Sequence, residues 1–424
     1  MPKKSMYSMS VLQKQFAVYQ KKFQKKIDQI QFDVQTRNYV VVGFLLGLLF
    51  IVSAFITYGY LTYQRVFVGS GSGVAAASPT PKPDESPPPP IYTFALLGHG
   101  DPGHDGGLLT DSIMIIKIDT GSEKIGLVSV PRDSWVEIPS HGWEEQRGWK
   151  VNAAYAIGSS QNQYLTRPDE FKGEAGGGEL AKYTLEKVVG FPVDHFVAID
   201  FSGFQKSIDV LGGVEVYVDR SFSDPLYPIP GEEDNPCGKS EEEIEALTAT
   251  ISASEVEKEF ACRYETLVFT RGETVMDGQT ALKFARSRHA AADGGDFNRA
   301  RRQRSVLLAV RDKVLALDFF PKIIPFLSQL TYNMRTDISL AKMNEFLGMR
   351  DQFLEYEIVG IPLTADLDNL LEFGFSSGGQ SILRPKAGEH QWQNVHSYID
   401  LMMQEEATAA AEVATASAVV ELPE

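Results

Sequence analysis

Several common kinds of site are missing from this sequence. Its 424 residues include only two cysteines, Cys237 and Cys262, too few for a disulfide scaffold and with no Cys-x-x-Cys pair to hold a metal. Both lie in one acidic stretch, so a cysteine hydrolase is not expected. No Gly-Lys-[Ser/Thr] directly follows the glycine-rich residues 98–107, so that loop is not a P-loop. Basic residues are outnumbered, 40 to 56, for a net charge of −16. A general nucleic-acid binder, whose affinity rests on neutralising phosphates, is excluded.

Charge is also missing locally. Between Asn38 and Gln64 there is no charged residue, and the run is longer than the roughly 20 apolar residues that cross a bilayer. Tyr39, Tyr58, Tyr60 and Tyr63 stand near its ends, where amphipathic rings favour the interface. The preceding residues 1–37 hold eight basic and two acidic side chains. This net +6 leaves −22 for the rest of the chain. A cleaved signal peptide would place a shorter apolar region nearer the N-terminus. The expectation is an uncleaved single-pass anchor over 38–64, with the basic segment 1–37 in the cytoplasm and the remainder outside the cell membrane. Phe16, Tyr19, Phe23, Ile27 and Ile30 form a helical stripe among lysines. It suits either an inner-leaflet surface helix or a solvated tail.

Residues 65–90 form a linker, flexible where glycine and serine dominate and semi-rigid in its proline run. The Ala/Glu-rich residues 401–424 read as a tail. A globular domain is therefore expected over 91–400. Within it, 91–97, 112–119, 124–130, 194–200 and 214–218 have strand length and composition, with a hairpin turn at 120–122. Residues 180–189, 201–211, 299–317, 338–354 and 392–403 have helical spacing, and 355–361 reads as another strand. Alternating strands and helices predict a three-layer αβα domain with a mixed central sheet. Residues 220–262 read as a loop insertion with an acidic run and both cysteines. Outside an oxidising membrane Cys237 and Cys262 could pair, closing a loop worth about 3 kcal/mol. The alternative is two buried free thiols.

The chemistry concentrates in ARSRHAAADGGDFNRARRQR, residues 285–304, which hold six arginines and two acids. If Arg286-Ser287-Arg288 is extended, both guanidinium groups point to one side. On a helix, Arg302 and Gln303 share the face of Arg299, while Arg301 and Arg304 turn away. Arg286, Arg288, Arg299, Arg302 and Gln303 could then converge. Such a cluster of forked cations is costly without an anion, and a diphosphate suits bidentate guanidinium. The bland alternative is a solvated basic face paired with the acidic insertion.

Three more strings accompany the arginines: Thr110-Asp111-Ser112, Pro131-Arg132-Asp133 and Trp149-Lys150-Val151-Asn152. With LTDSIMIIKID, IGLVSVPRDSWVEIP, KVNAAYAIG, VVGFPVDHFVAIDFSGFQKSIDVLGGVEVYV, MDGQTALKFARSRH and GDFNRARRQRSVL in order, the chain resembles the LytR-CpsA-Psr family of bacterial cell-wall proteins. The resemblance implies a phosphotransferase. It would move a glycopolymer from a polyprenyl diphosphate carrier to peptidoglycan, forming a phosphodiester. It further implies that Asp111 binds Mg²⁺, and that Arg132, Lys150, Arg286, Arg288, Arg299 and Gln303 bind the diphosphate. Asp296 would act as base or orient the arginines, with Arg132 and Arg299 also catalytic.

Two positions depart from the family pattern. The site of a second metal-binding aspartate is Gly100, for which Asp101 or Asp105 could substitute, and an arginine often found two before Asp111 is Leu109. His99, Asp101, His104 and Asp105 could also suggest zinc, although a glycine-rich turn explains their spacing as simply. Two further readings stay open: a polyprenyl-diphosphate-binding regulator without catalysis, and a lipid pyrophosphatase.

Overall fold

The computed structural model describes residues 89–404, apart from 102–106, 252, 292, 317–329, 331 and 366–369, together with isolated residues before 69. Most of the expected basic segment, anchor and linker, and residues 405–424, lie outside the described residues. Among the described residues no helix is long and apolar enough to cross a membrane. The chain divides into two compact units, 1–61 and 62–424.

The second unit is built on a six-stranded mixed sheet. Strands β1 (Ile91–His99), β2 (Thr110–Asp119) and β3 (Lys124–Ser129) form an antiparallel meander. The hairpin β4 (Trp135–Ile138) and β5 (Arg147–Lys150) and helices α1 (Ala153–Ser159) and α2 (Gly176–Val189) lead to β6 (His195–Asp200), which pairs parallel with β1. Helix α2 stops at Gly190, whose φ of 83° is a left-handed cap that glycine adopts without steric cost. Helix α3 (Phe201–Val210) follows β6 at once, its first turn held by the Asp200 carboxylate accepting from Gly203 N at 2.7 Å.

Next come β7 (Val214–Val218), β8 (Phe222–Pro228), α4 (Glu241–Thr250), α5 (Ala253–Glu259), β9 (Tyr264–Phe269) and β10 (Gly272–Met276). Then come α6 (Gly278–Arg286), the long α7 (Gly295–Leu315), β11 (Met334–Thr336), α8 (Leu340–Gly348), α9 (Arg350–Glu355), β12 (Glu357–Pro362), the hairpin β13 (Leu371–Phe375) and β14 (Ser381–Pro385), and α10 (Gln393–Gln404). The main sheet runs β11-β6-β1-β2-β3-β12, with β12 parallel to β3 and β11 antiparallel to β6.

Alternation along the strands explains the layers. Ala95, Leu97, Ile113 and Ile115 face a core shared with Ile157 of α1, Leu180 and Leu185 of α2, and Ile399 of α10. Phe94, Met114 and Ile118 face the other way, toward Leu307 and Leu308 of α7, Phe346 of α8 and Phe353 of α9. Each fully buried side chain of this kind contributes roughly 1.5–3 kcal/mol. The expected three-layer arrangement is thus present.

A separate core joins the two-stranded ribbons β7–β10 and β8–β9 to α3, α6 and α7, through Ile208, Val216, Phe284 and Val306. Here the reading of 220–262 as a loop is corrected. Phe222–Pro228 pairs with Tyr264–Phe269, and the acidic run Glu241–Glu243 is the first turn of a helix with a Ser240–Glu243 capping box. Carboxylates there complement the helix dipole instead of marking a solvated loop. Cys237 and Cys262 form a disulfide within this excursion. The helix expected over 338–354 is two helices, interrupted at Met349.

Candidate functional site

One cavity of about 220 Å³ collects most of the arginines singled out in the sequence. Asp111 and Ser112 of β2, Arg132 of the β3–β4 turn, Arg286 and Arg288 at the end of α6, and Arg299 and Gln303 of α7 line it. Residues far apart in the chain meet there because β2 and the α6–α7 turn end at the same place.

Asp111 arrives through a break in register. Gly98 pairs with Ser112 but His99 with Thr110, so Asp111 has no cross-strand partner. Bulges of this kind re-aim a side chain at the end of a strand. The Asp111 carboxylate accepts from Arg132, whose Nε also lies 3.6 Å from Asp133. Asp133 in turn accepts from Lys150 Nζ at 2.6 Å. Lys150 therefore supports Arg132 through Asp133 rather than lining the cavity.

The condition of an extended Arg286-Ser287-Arg288 is not met: Arg286 is the last residue of α6, which ends at the Ser287 cap. Both arginines still line the cavity. The Arg286 guanidinium stacks on Phe201 at 4.1 Å and meets the Tyr227 hydroxyl, a cation–π contact that holds a planar cation in place. Burial pushes the Tyr227 hydroxyl up and Arg286 opposes that shift, so Tyr227 stays protonated at neutral pH.

Arg302 is a second correction. It does not join the cluster, for it is only 2% exposed. Its guanidinium donates to the Phe284, Ser287 and Asp293 carbonyls and to the Asp293 carboxylate. Asp293 also accepts from Arg301. A helical wheel could not separate Arg302 from Gln303, because the turn between α6 and α7 folds back over one of them. Gln303 reaches the Ala285 carbonyl at 3.5 Å, and Arg304 lies against Gly360 of β12, where a Cβ would collide with it.

Sequence reasoning missed Asp224, Tyr227, Phe201 and His289, all at the cavity wall. Asp224 is fully buried and accepts from Ser287 Oγ at 2.6 Å, Arg288 N at 2.9 Å and His289 N at 3.1 Å. Burial pushes its carboxyl up, but the Ser287 hydroxyl and the His289, Leu226 and Arg288 amides outweigh burial and hold it below the usual range. Its only sequence signal was an aspartate between alternating apolar residues of β8.

The carboxylates offer a limited metal site. Among the described residues no three metal-ligating side chains cluster. Asp101 accepts from the Ser202 amide and hydroxyl at 3.2 and 3.1 Å, so its carboxylate is engaged in capping α3. Asp105 and His104 are outside the described residues, as is the side chain of Asp296, the second residue of α7. A lone Asp111 beside arginines still fits Mg²⁺, which keeps waters and takes one or two carboxylates plus phosphate oxygens. The string Gly374–Gly378, GFSSG, spells a nucleophile-elbow motif, but it lies at the turn of the β13–β14 hairpin. The elbow motif places its serine on a strand-to-helix turn, so this string does not form a nucleophile elbow.

A sequence profile of the LytR_cpsA_psr family matches residues 80–371. The chain is 26% identical over 266 residues to the polyisoprenyl-teichoic acid–peptidoglycan teichoic acid transferase TagU of Enterococcus faecalis, covering 62% of this chain and 67% of that protein. It is 27% identical over 264 residues to biofilm regulatory protein A of Streptococcus mutans, covering 61% of this chain and 52% of that one. A solved Streptococcus agalactiae protein superposes with a TM-score of 0.49 at 21% identity, over 74% of this chain and 89% of that one. The matched region spans between about half and two thirds of these curated relatives' length. Since the profile matches well over half of its residues, the chain belongs to the LytR_cpsA_psr family.

Proposed function

We propose that this chain is a membrane-anchored transferase. It would move a glycopolymer, with its phosphate, from a polyprenyl diphosphate carrier to a peptidoglycan hydroxyl on the outer side of the membrane, the P–O–P bond breaking and polyprenyl monophosphate leaving. The observation that carries this reading is the convergence of Arg132, Arg286, Arg288, Arg299 and Gln303 on one cavity beside Asp111. Teichoic acid transfer to peptidoglycan is what the name of the Enterococcus relative states.

In this reading the guanidinium forks of Arg286, Arg288 and Arg299 grip the diphosphate oxygens, and Gln303 donates an amide hydrogen to them. Phosphoryl transfer depends chiefly on positioning and on neutralising charge, which rigidly held arginines supply. Asp111 would hold Mg²⁺, whose chemistry there is further neutralisation of the phosphate oxygens. Arg132, released from Asp111 toward the phosphate, would steady the charge that develops on transfer. Asp296, at the start of α7, would accept the proton of the incoming sugar hydroxyl. The half-buried apolar residues Leu96, Ile116, Leu307 and Phe346 continue between sheet and α7 and would take the prenyl chain.

The test is transfer of label from a lipid-linked phosphoglycan to peptidoglycan fragments by the full chain. A labelled glycan adduct supports the transferase. Tight lipid binding with no adduct favours the regulator that the name of the Streptococcus relative suggests. Labelled glycan phosphate set free by water, with polyprenyl monophosphate left behind and no adduct, favours a pyrophosphatase.

A further inference from the structure

A second, larger cavity of about 370 Å³ opens on the opposite face of the sheet, at the same end. His99 closes β1 there, paired in the sheet with Thr110 on one side and Asp200 on the other. Thr110 immediately precedes Asp111, so the two cavities flank one strand end. The larger cavity is lined by none of the residues assigned to the diphosphate.

His99 is only 5% exposed. Its Nδ1 lies 2.7 Å from the Gly100 carbonyl, and a carbonyl can only accept, so Nδ1 carries the hydrogen. Nε2 is then an acceptor. Among the described residues it has no hydrogen-bond partner, and His99 lines the cavity. The ring is stacked on Tyr155 at 5.3 Å, which fixes its plane. An acceptor that opens into a cavity can take a donor from whatever fills it.

The charges around the cavity select the kind of donor. Arg65 and Arg335 are matched by Asp200 and Glu174, unlike the arginine-rich site across the sheet. An anion gains nothing from such a balance. Both Asp200 oxygens already accept from Asn333. Burial pushes the Tyr155 hydroxyl up, so it remains a neutral donor and acceptor. The Tyr332 ring, with the Arg65 guanidinium 5.1 Å over it and bonded to its hydroxyl, is still 71% exposed. An uncharged ligand with hydroxyl or amide hydrogens and a partly apolar ring matches these features, and the volume falls within the range of small-ligand sites.

We infer that this cavity is a glycan-binding subsite for an uncharged, N-acetylated sugar, which His99 Nε2 holds by accepting a hydrogen bond. If the transferase reading holds, the sugar belongs to the acceptor strand, brought over the strand end toward Asp111; only that assignment rests on the reading. His99 is a binding residue here.

The probe is tetra-N-acetylchitotetraose, titrated calorimetrically into the detergent-solubilised full chain, with inorganic pyrophosphate titrated separately. His99→Phe keeps the stack on Tyr155 and removes Nε2. The expected result is about tenfold weaker sugar binding with unchanged pyrophosphate affinity. Tyr332→Ala, on the surface, should also weaken the sugar and spare pyrophosphate, so a folding defect in His99→Phe does not leave the question open. No sugar binding by the parent chain, equal binding by both variants, or displacement of the sugar by pyrophosphate overturns the inference. Loss of pyrophosphate binding in the parent chain would instead sink the reading of the arginine site.

Discussion

The buried Asp224 carboxylate accepts the Ser287 hydroxyl at 2.6 Å, joining β8 to the turn that carries Arg286 and Arg288. Because the amides of Arg288 and His289 donate to the same oxygen, one carboxylate sets the backbone from which two arginines enter the cavity. It acts on the diphosphate site only through that backbone.

Asp224→Asn should therefore weaken pyrophosphate binding although residue 224 need not touch the ligand. The lost charge-assisted hydrogen bonds should cost about 1–3 kcal/mol of stability. There is also a pH signature. The folded carboxyl lies below its unfolded value, so its contribution is complete above about pH 4 and is lost as pH falls through the folded value. Acid unfolding of Asp224→Asn, followed by circular dichroism, should show a shallower limb below about pH 4, with no difference in slope near neutrality.

Arg286 contributes a planar fork held on Phe201. Arg286→Ala should weaken pyrophosphate binding by roughly 10- to 100-fold, the equivalent of one charge-assisted contact. Arg286→Lys should recover only part of this, because an ammonium cannot make the paired contact or the stack. Calorimetry at one fixed salt concentration checks both. Affinity unchanged in Arg286→Ala would remove this residue from the site.

Arg302 and Asp293 are each 2% exposed at the side chain and pair at 2.6 Å. Arg302→Met leaves a buried carboxylate with Arg301 as its remaining ion-pair partner, and should destabilise the fold by about 3–5 kcal/mol. Arg302→Met combined with Asp293→Asn should recover part of that loss. Chemical denaturation of the two variants would show it.

Asp111 is the single carboxylate proposed to hold Mg²⁺. Removing divalent cations should weaken pyrophosphate binding in the parent chain but have little effect in Asp111→Asn, since Mg²⁺ binding needs a carboxylate oxygen beside the phosphates. A magnesium titration monitored by pyrophosphate affinity distinguishes the two. Equal magnesium dependence would place the ion elsewhere.

Much of the frame was legible because it rests on short-range pattern. The short apolar run over 112–119 and the helical spacing over 180–189 depend on near neighbours in the chain, and β2 and α2 cover them. Other elements had weaker local signals. The hairpin β13–β14, with Phe373 and Phe375 exposed, lacks a one-sided apolar pattern. The acidic helix α4 has no buried residue and so no apolar stripe to announce it.

For the site, composition and motif order were enough to single out an arginine-rich segment and its companions, because residue type carries charge whatever the fold. Which arginines face the cavity was a different matter. Arg302 and Gln303 are adjacent in sequence, yet one is buried against three carbonyls and the other lines the cavity. Only the return of the α6–α7 turn over the helix separates them. Likewise the register break that frees Asp111, the carboxylate of Asp224 under Ser287, and the open nitrogen of His99 depend on strands and turns far apart in the chain. Local sequence specifies which groups are available; long-range packing decides which of them are desolvated, paired or left facing a cavity.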